Sequence, residues 1–263
     1  MPIRVDHFRK VFHFNFKART SRGLMKDKIS WFIRIEDDAH PGTEGLGECG
    51  PLPGLSIDCI PDFEHKLADM LKDINGSIGD IANADLLLQR IPPEFPSVRF
   101  GLETAILDLR GGGRRILFRN SFVEGKGIPI NGLVWMGDMD FMMDQINKKV
   151  ADGFRCLKLK VGGVDFDREC DILSYIRRRY FRENIQIRLD ANGAFKVDDV
   201  LYRLGEMAKF QVHSIEQPIK PGHEEMEELC RKSPIPIAFD EEMIGVFSPD
   251  DKAGLLKKLK PQF

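Results

Sequence analysis

The 263-residue chain carries 39 lysines and arginines against 41 aspartates and glutamates, a formal charge of -2, with no long run of either sign. That balance leaves no electrostatic footprint for nucleic acid, and a chain of this length buries a sizeable core, either as one large domain or as a small one with part of a barrel. Five cysteines (Cys49, Cys59, Cys156, Cys170, Cys230) are odd in number, widely spaced and without a C-x-x-C, which argues against a disulfide framework or zinc knuckle and for a reducing, cytoplasmic compartment.

The N-terminus, MPIRVDHFRKVF, is charged within four residues and lacks an apolar signal region, and no later stretch is long and apolar enough for a membrane span. Residues 3–16 and 28–36 alternate apolar with polar or basic side chains, the period-two pattern of half-buried strands, with SRG between them as a turn. GLGECGPLPGL, residues 45–55, predicts a short strand and then an irregular loop. Apolar residues at i, i+3, i+4 spacing predict helices over 61–74 and 97–109. The second is capped by Ser97, buries Phe100, Leu102, Ala105, Ile106 and Leu109, and is stopped by Gly111 to Gly113. Residues 1–125 thus predict an α+β domain.

From Ile128 the pattern changes to short apolar runs alternating with helical segments. PINGLVWMG precedes a helix from Asp138, RCLKLKVGG one from Asp165, IQIRLDANG one from Val197, HSIEQPI one from His223, and IPIAFDEE one from Pro249. Five strand-helix pairs over 126–263 predict parallel βαβ units, in a doubly wound sheet or a barrel. A charged residue closes four of the runs in turn: Lys160, Asp190, Glu216 and Asp240, spaced 30, 26 and 24 residues apart. A (β/α) barrel gathers its strand ends at one face, where active sites are built, so these four groups are expected to converge.

Asp190, Glu216 and Asp240 set three carboxylates at the ends of apolar strands. Any one alone reads as a helix cap or surface charge; three in register favour a shared cation, and oxygen-only donors favour Mg²⁺ before Mn²⁺. Lys158 and Lys160, at i and i+2 of one strand, point to the same face. A partly desolvated lysine beside a cation has its ammonium form disfavoured and serves as a general base; the alternative is a solvated edge strand. None of the six histidines has metal-ligand spacing, and His213 reads as a packing or hydrogen-bonded residue. Met136, Met139, Met142 and Met143 read as helix-face and core fillers.

The K-x-K of Lys158 and Lys160, the D-x-N of Asp190 and Asn192, Glu216 of SIEQP and Asp240 of FDEE resemble, in that order, the catalytic set of the enolase superfamily's muconate-lactonizing-type subgroup. GECGPLPGLS, PSVRFGLETAILDL and INGLVWMG further resemble the o-succinylbenzoate synthases, with similarity from about residue 3 to the last. The resemblance implies an α+β capping domain followed by an enolase-type (β/α) barrel. It also implies a small carboxylate substrate, SHCHC, dehydrated to o-succinylbenzoate in menaquinone biosynthesis. Lys160 is then the base and Lys158 its catalytic neighbour, with the metal on Asp190, Glu216 and Asp240; lysine-base chemistry with Mg²⁺ is the general pattern of that superfamily. Asn192, Arg188 and the loop residues Pro53, Gly54 and Leu55 become substrate contacts, and the loops at 20–23 and 50–55 close over the succinyl arm.

Family members carry a second lysine on a sixth strand, whereas this chain ends at KKLKPQF. Neither Lys258 nor Lys260 is assigned that role. The resemblance therefore implies a barrel incomplete after about the fifth βα unit, with open edges and little dehydratase activity or solubility of its own. Two other functions fit the same residues: an N-acylamino acid racemase or dipeptide epimerase, and a catalytically incomplete metal-binding fragment. Nothing implies a nucleic-acid or membrane partner, and a homo-oligomer is compatible with the sequence.

Overall fold

The structure is a computed structural model that describes residues 3–20, 23–38, 41–75, 81–163 and 165–263. It divides into two compact units: residues 1–15 with 26–128, and residues 16–25 with 129–263.

Three strands, β1 (Ile3–Thr20), β2 (Gly23–Asp37) and β3 (Glu44–Cys49), form a sheet in that order. β2 and β3 run antiparallel with Trp31 opposite Cys49 and Ile35 opposite Gly45. The first two strands extend beyond the alternating segments read from sequence, and Ser21 and Arg22 of the expected SRG turn lie outside the described residues. Alternation on β2 sends Ile33 and Ile35 inward, where they pack with Leu67 and Leu71 of α1 (Phe63–Ile74) and Leu102, Ala105 and Ile106 of α2 (Pro96–Arg110). The helix α2 lies unusually close to β3. A methyl added at Gly47 would overlap the Gly101 carbonyl, and one at Gly101 would overlap the Cys49 sulfur. Only glycines permit that approach of backbone to backbone.

The N-terminus of α2 differs from expectation. Ser97 lies inside the helix rather than capping it; its N–H and Oγ both donate to the buried Asp58 carboxylate, at 2.7 and 2.9 Å. Phe100, expected in the core, is 64% exposed, because Gly101 occupies the position facing the sheet. The C-terminal stop is as expected: Gly111 caps the helix, and Gly112 and Gly113 take positive φ. A 3-10 helix over Ile81–Arg90 had no counterpart in the sequence reading.

The second unit holds five parallel strands in the order β4-β5-β6-β7-β8: Gly132–Val134, Cys156–Lys160, Gln186–Asp190, Val212–Glu216 and Ile237–Ala238. Spatial order equals chain order, the progression of a barrel wall; a doubly wound sheet reverses direction at a switch point. Five helices follow the strands one by one: α3 (Met139–Ala151), α4 (Phe166–Arg179), α5 (Val200–Ala208), α6 (Glu225–Lys232) and α7 (Pro249–Leu259). Asp138, Asp165 and Ser248 cap α3, α4 and α7 through side-chain oxygens, while α5 and α6 begin two or three residues later than the sequence suggested. One set of alternating residues, Leu157, Leu159, Ile187, Leu189, Ile215 and Ile237, is buried with the helices. The other set carries the polar groups described next. Met136 and Met142 are buried fillers as expected, and all five cysteines are free.

Candidate active site

Parallel register fixes who stands beside whom. Lys158, Arg188 and Ser214 form one lateral row across β5, β6 and β7, and Lys160, Asp190 and Glu216 form the next, at the C-terminal ends of the strands. The ladder continues past the strands: Val161 N–H donates to the Asp190 carbonyl, Ala191 N–H to Glu216, and Gln217 N–H to Ala238.

Two lysines and two carboxylates are in direct contact. Lys160 Nζ donates to Asp190 Oδ2 at 2.5 Å and to Asn192 Oδ1 at 3.1 Å. Lys158 Nζ lies 2.9 Å from the same Asp190 oxygen and 2.6 Å from Glu216 Oε2. Asp190 is fully buried, and its other oxygen accepts the Asn192 N–H at 3.1 Å. Burial works against the Asp190 carboxylate, but Lys160 and Lys158 outweigh it and hold the group below the usual range. Burial raises Glu216 above its usual value despite the hydrogen bond from Lys158, with the Asp190 charge adding to the rise. Burial likewise raises Asp240, helped by the Glu241 and Asp190 carboxylates.

Lys158 is the charged neighbour rather than the base: burial would lower its pKa, yet the hydrogen bonds and charges of Glu216 and Asp190 hold it above the ordinary lysine value. One expectation needs correction. Asp240 is not at a strand end, since β8 stops at Ala238 and Asp240 caps a 3-10 helix over Glu241–Met243. It acts on the row through charge; among the described residues its carboxylate makes no hydrogen bond.

Arg188 projects beside Lys158 into a cavity of about 150 Å³ lined also by Asn131, His213, Ser214 and Phe263. His213 Nδ1 lies 3.0 Å from Ser214 Oγ and its ring 4.9 Å from that of Phe263, a packed residue as read from sequence. Pro53, Gly54 and Leu55 belong to a turn of the first unit, closed by Leu55 and Ser56 N–H groups on the Leu52 carbonyl. Lys258 is exposed on α7, and Lys260 is its C-cap with positive φ.

Three residues missed in the sequence complete the site. Gln217 is fully buried and bonded to Glu242, and Asn192 Nδ2 donates to Glu241 Oε1 at 3.0 Å. Gln217, Glu241 and Glu242 stand directly beside recognised positions, so adjacency was the one signal that could have found them.

The donor chemistry fits a hard divalent cation: three carboxylates, with an ammonium already lying between two of them where positive charge is needed. As arranged, no group of three or more His, Cys, Asp or Glu side chains among the described residues is set to hold a metal, because Lys158 and Lys160 engage Asp190 directly.

Strand order and this row of lysines and carboxylates define an enolase-type α/β domain. The family described as enolase C-terminal domain-like matches residues 142–250. The o-succinylbenzoate synthase of Desulfotalea psychrophila is 39% identical, with the match covering 99% of this chain and 77% of that protein. The crystal structure of MenC from the same organism aligns with a TM-score of 0.82 at 36% identity, over 100% of this chain and 77% of the other. A hydrophobic dipeptide epimerase of Roseobacter litoralis is 23% identical over 91% of this chain and 69% of its own length. The dipeptide epimerase of Enterococcus faecalis, complexed with Mg and L-Leu-L-Tyr, shares the fold at 21% identity and a TM-score of 0.81, over 98% of this chain and 72% of that one. The chain belongs to the o-succinylbenzoate synthase family of the enolase superfamily.

Proposed function

We propose that the chain is a metal-dependent dehydratase, a carbon-oxygen lyase that converts SHCHC to o-succinylbenzoate and water in menaquinone biosynthesis. The observation that carries this reading is the single row of Lys160, Asp190 and Glu216, with Lys158 on the same face, in a chain 39% identical to an o-succinylbenzoate synthase.

In this reading Asp190, Glu216 and Asp240 would hold Mg²⁺, with Mn²⁺ as substitute. When bound, the cation supplies positive charge at the substrate carboxylate and lowers the cost of the negative charge that develops there. Lys160 Nζ exchanges its hydrogen bonds to Asp190 and Asn192 for the substrate and removes the proton from the carbon bearing the carboxylate. The electron pair left behind expels the hydroxyl from the neighbouring carbon. Lys160, now an ammonium on the same face, returns that proton to the departing oxygen; water leaves, the ring becomes aromatic and the base is restored. Lys158, held as an ammonium by Glu216 and Asp190, keeps the local potential positive. Asn192 orients Lys160, and Arg188 offers an anionic arm of the substrate a guanidinium. On resemblance alone, Pro53, Gly54 and Leu55 are assigned to the succinyl chain. The five free cysteines agree with a cytoplasmic site of action, and no helix among the described residues is long and apolar enough to cross a membrane.

The test is conversion of SHCHC, followed by absorbance, with Mg²⁺, after chelation, and after Mg²⁺ or Mn²⁺ is restored. Turnover is expected only with the cation; turnover indifferent to chelation refutes the metal, and no turnover even from a version extended to supply the family's second lysine refutes the dehydratase. N-succinylamino acids and dipeptides are assayed alongside, because racemisation faster than dehydration would favour the epimerases, which are the more distant relatives.

A further inference from the structure

The segment that carries Asp240 has little regular structure of its own: β8 is two residues long and the 3-10 helix three. Its neighbours hold it. Gln217 follows Glu216 directly, is fully buried, and takes a left-handed backbone with φ of 41°, a conformation that a side chain with a Cβ adopts only when its surroundings impose it.

Four hydrogen bonds from the Gln217 amide impose it. Its Oε1 accepts the Glu242 N–H at 3.0 Å and, more weakly, the Asp240 N–H at 3.5 Å. Its Nε2 donates to Glu242 Oε2 at 2.9 Å and to the Ile219 carbonyl at 3.1 Å. The Glu242 carboxylate passes the restraint on by accepting the Gly222 N–H at 2.9 Å. The Gln217 main chain is equally committed, donating to Ala238 and accepting from Gly193, three residues past β6. One residue therefore joins the ends of β6, β7 and β8 and touches the segment on either side of the Asp240 side chain.

We propose that Gln217, clamped to Glu242, is a positioning residue that sets the distance between the Glu216 and Asp240 carboxylates and so tunes the affinity of the site for its divalent cation. This rests on the metal reading given above. Gln217 touches neither substrate nor reacting atoms; it acts through Glu216 and Asp240. Partners of this kind around metal ligands are worth about 10- to 100-fold in affinity.

The test separates positioning from simple charge. Gln217→Glu keeps size and shape but sets a carboxylate oxygen against Glu242 Oε2 and the Ile219 carbonyl, both acceptors. If only the electric field mattered, the added negative charge would tighten Mg²⁺ binding; if position matters, binding weakens by about 10- to 100-fold. The double variant Gln217→Glu with Glu242→Gln restores the donor-acceptor pairing between the two side chains at the wild-type net charge, leaving only the Ile219 carbonyl without its donor, and is expected to recover most of the affinity. Mg²⁺ binding is measured by calorimetry on the whole chain, with thermal unfolding of each chelated variant as the control for folding.

Affinity lost in the single variant and regained in the double one, at similar chelated Tm, supports the clamp. Wild-type or tighter binding by Gln217→Glu overturns it, as does a folded double variant that still binds weakly. Should the single variant fail to fold, the double variant decides alone. A wild-type chain that takes up no Mg²⁺ would instead sink the metal reading itself, and the clamp with it.

Discussion

Asp190→Asn should cost more stability than almost any other single change in the second unit. Both lysine ammoniums hydrogen-bond one oxygen of this fully buried carboxylate, Lys160 at 2.5 Å and Lys158 at 2.9 Å. An amide keeps the shape but leaves two cations facing one neutral atom. At a separation of roughly 5 Å and an effective dielectric of about 20, two unit charges repel by about 3 kcal/mol. That repulsion is present in the wild type and is offset there by Asp190; losing the offset amounts to removing one partner of a buried pair, which typically costs about 3 to 5 kcal/mol. Against a typical stability of about 5 to 15 kcal/mol that is a large fraction. The assay is urea unfolding at pH 7 in the presence of chelator, followed by the fluorescence of Trp135 in a Trp31→Phe background, so that the signal comes from the second unit. Adding Lys158→Met to Asp190→Asn removes the repulsion, so the double variant should regain a large share of the loss. A cost below about 1 kcal/mol, or a double variant no more stable than the single one, would refute the view that the lysine pair is balanced by Asp190.

Lys160→Ala should lower kcat by at least ~10²- to 10⁴-fold, the usual contribution of a general base, while calorimetric Mg²⁺ affinity persists; retained turnover would remove Lys160 from the role. Asp58→Ala should destabilise the first unit by about 1 to 2 kcal/mol through loss of the helix-end bonds to Ser97, read by urea unfolding on Trp31 fluorescence, with no change in Mg²⁺ affinity. Glu48 is held below the usual carboxylate range by its hydrogen bonds from Lys28 and Ser30. A depressed folded pKa gives stabilisation that is present above the unfolded value of about 4.3 and fades as pH falls through the lower folded value. Glu48→Gln should therefore lose up to about 1 kcal/mol at pH 7 and show a shallower acid limb than wild type; parallel curves would contradict this.

Much of the second unit was legible because its signals are local and repeat. Lys160, Asp190 and Glu216 close three successive apolar strands, and two helix starts could be read from the aspartate that caps each, Asp138 and Asp165. Lys158, Lys160, Asp190 and Glu216 emerged from spacing and family resemblance, and the structure brings these four together. What stayed hidden depended on partners far along the chain. Asp58 takes the cap role expected of Ser97 from 39 residues away, and Gly101 displaces Phe100 from the core because α2 must approach β3 closely. Lys158 was expected to keep the local potential positive, but that Glu216 and Asp190 are what hold its proton against burial is settled only by distances. Gln217 read as part of a motif; its buried amide bonds depend on an αL backbone that no periodicity encodes.

The strand order β4-β5-β6-β7-β8 has a consequence for how the second unit fails. Among the described residues, each inner strand pairs with the one before and the one after it in the chain, so cooperativity is passed along a line of neighbours, much as in repeat proteins. Damage at β6 should loosen β5 and β7 together before it reaches β4, and amide exchange should spread outward from the wound strand by strand. Every group in the lysine and carboxylate row is then only as steady as the strands beside it, which makes the middle of the row, where Asp190 sits, the place where a single lesion is felt on both sides.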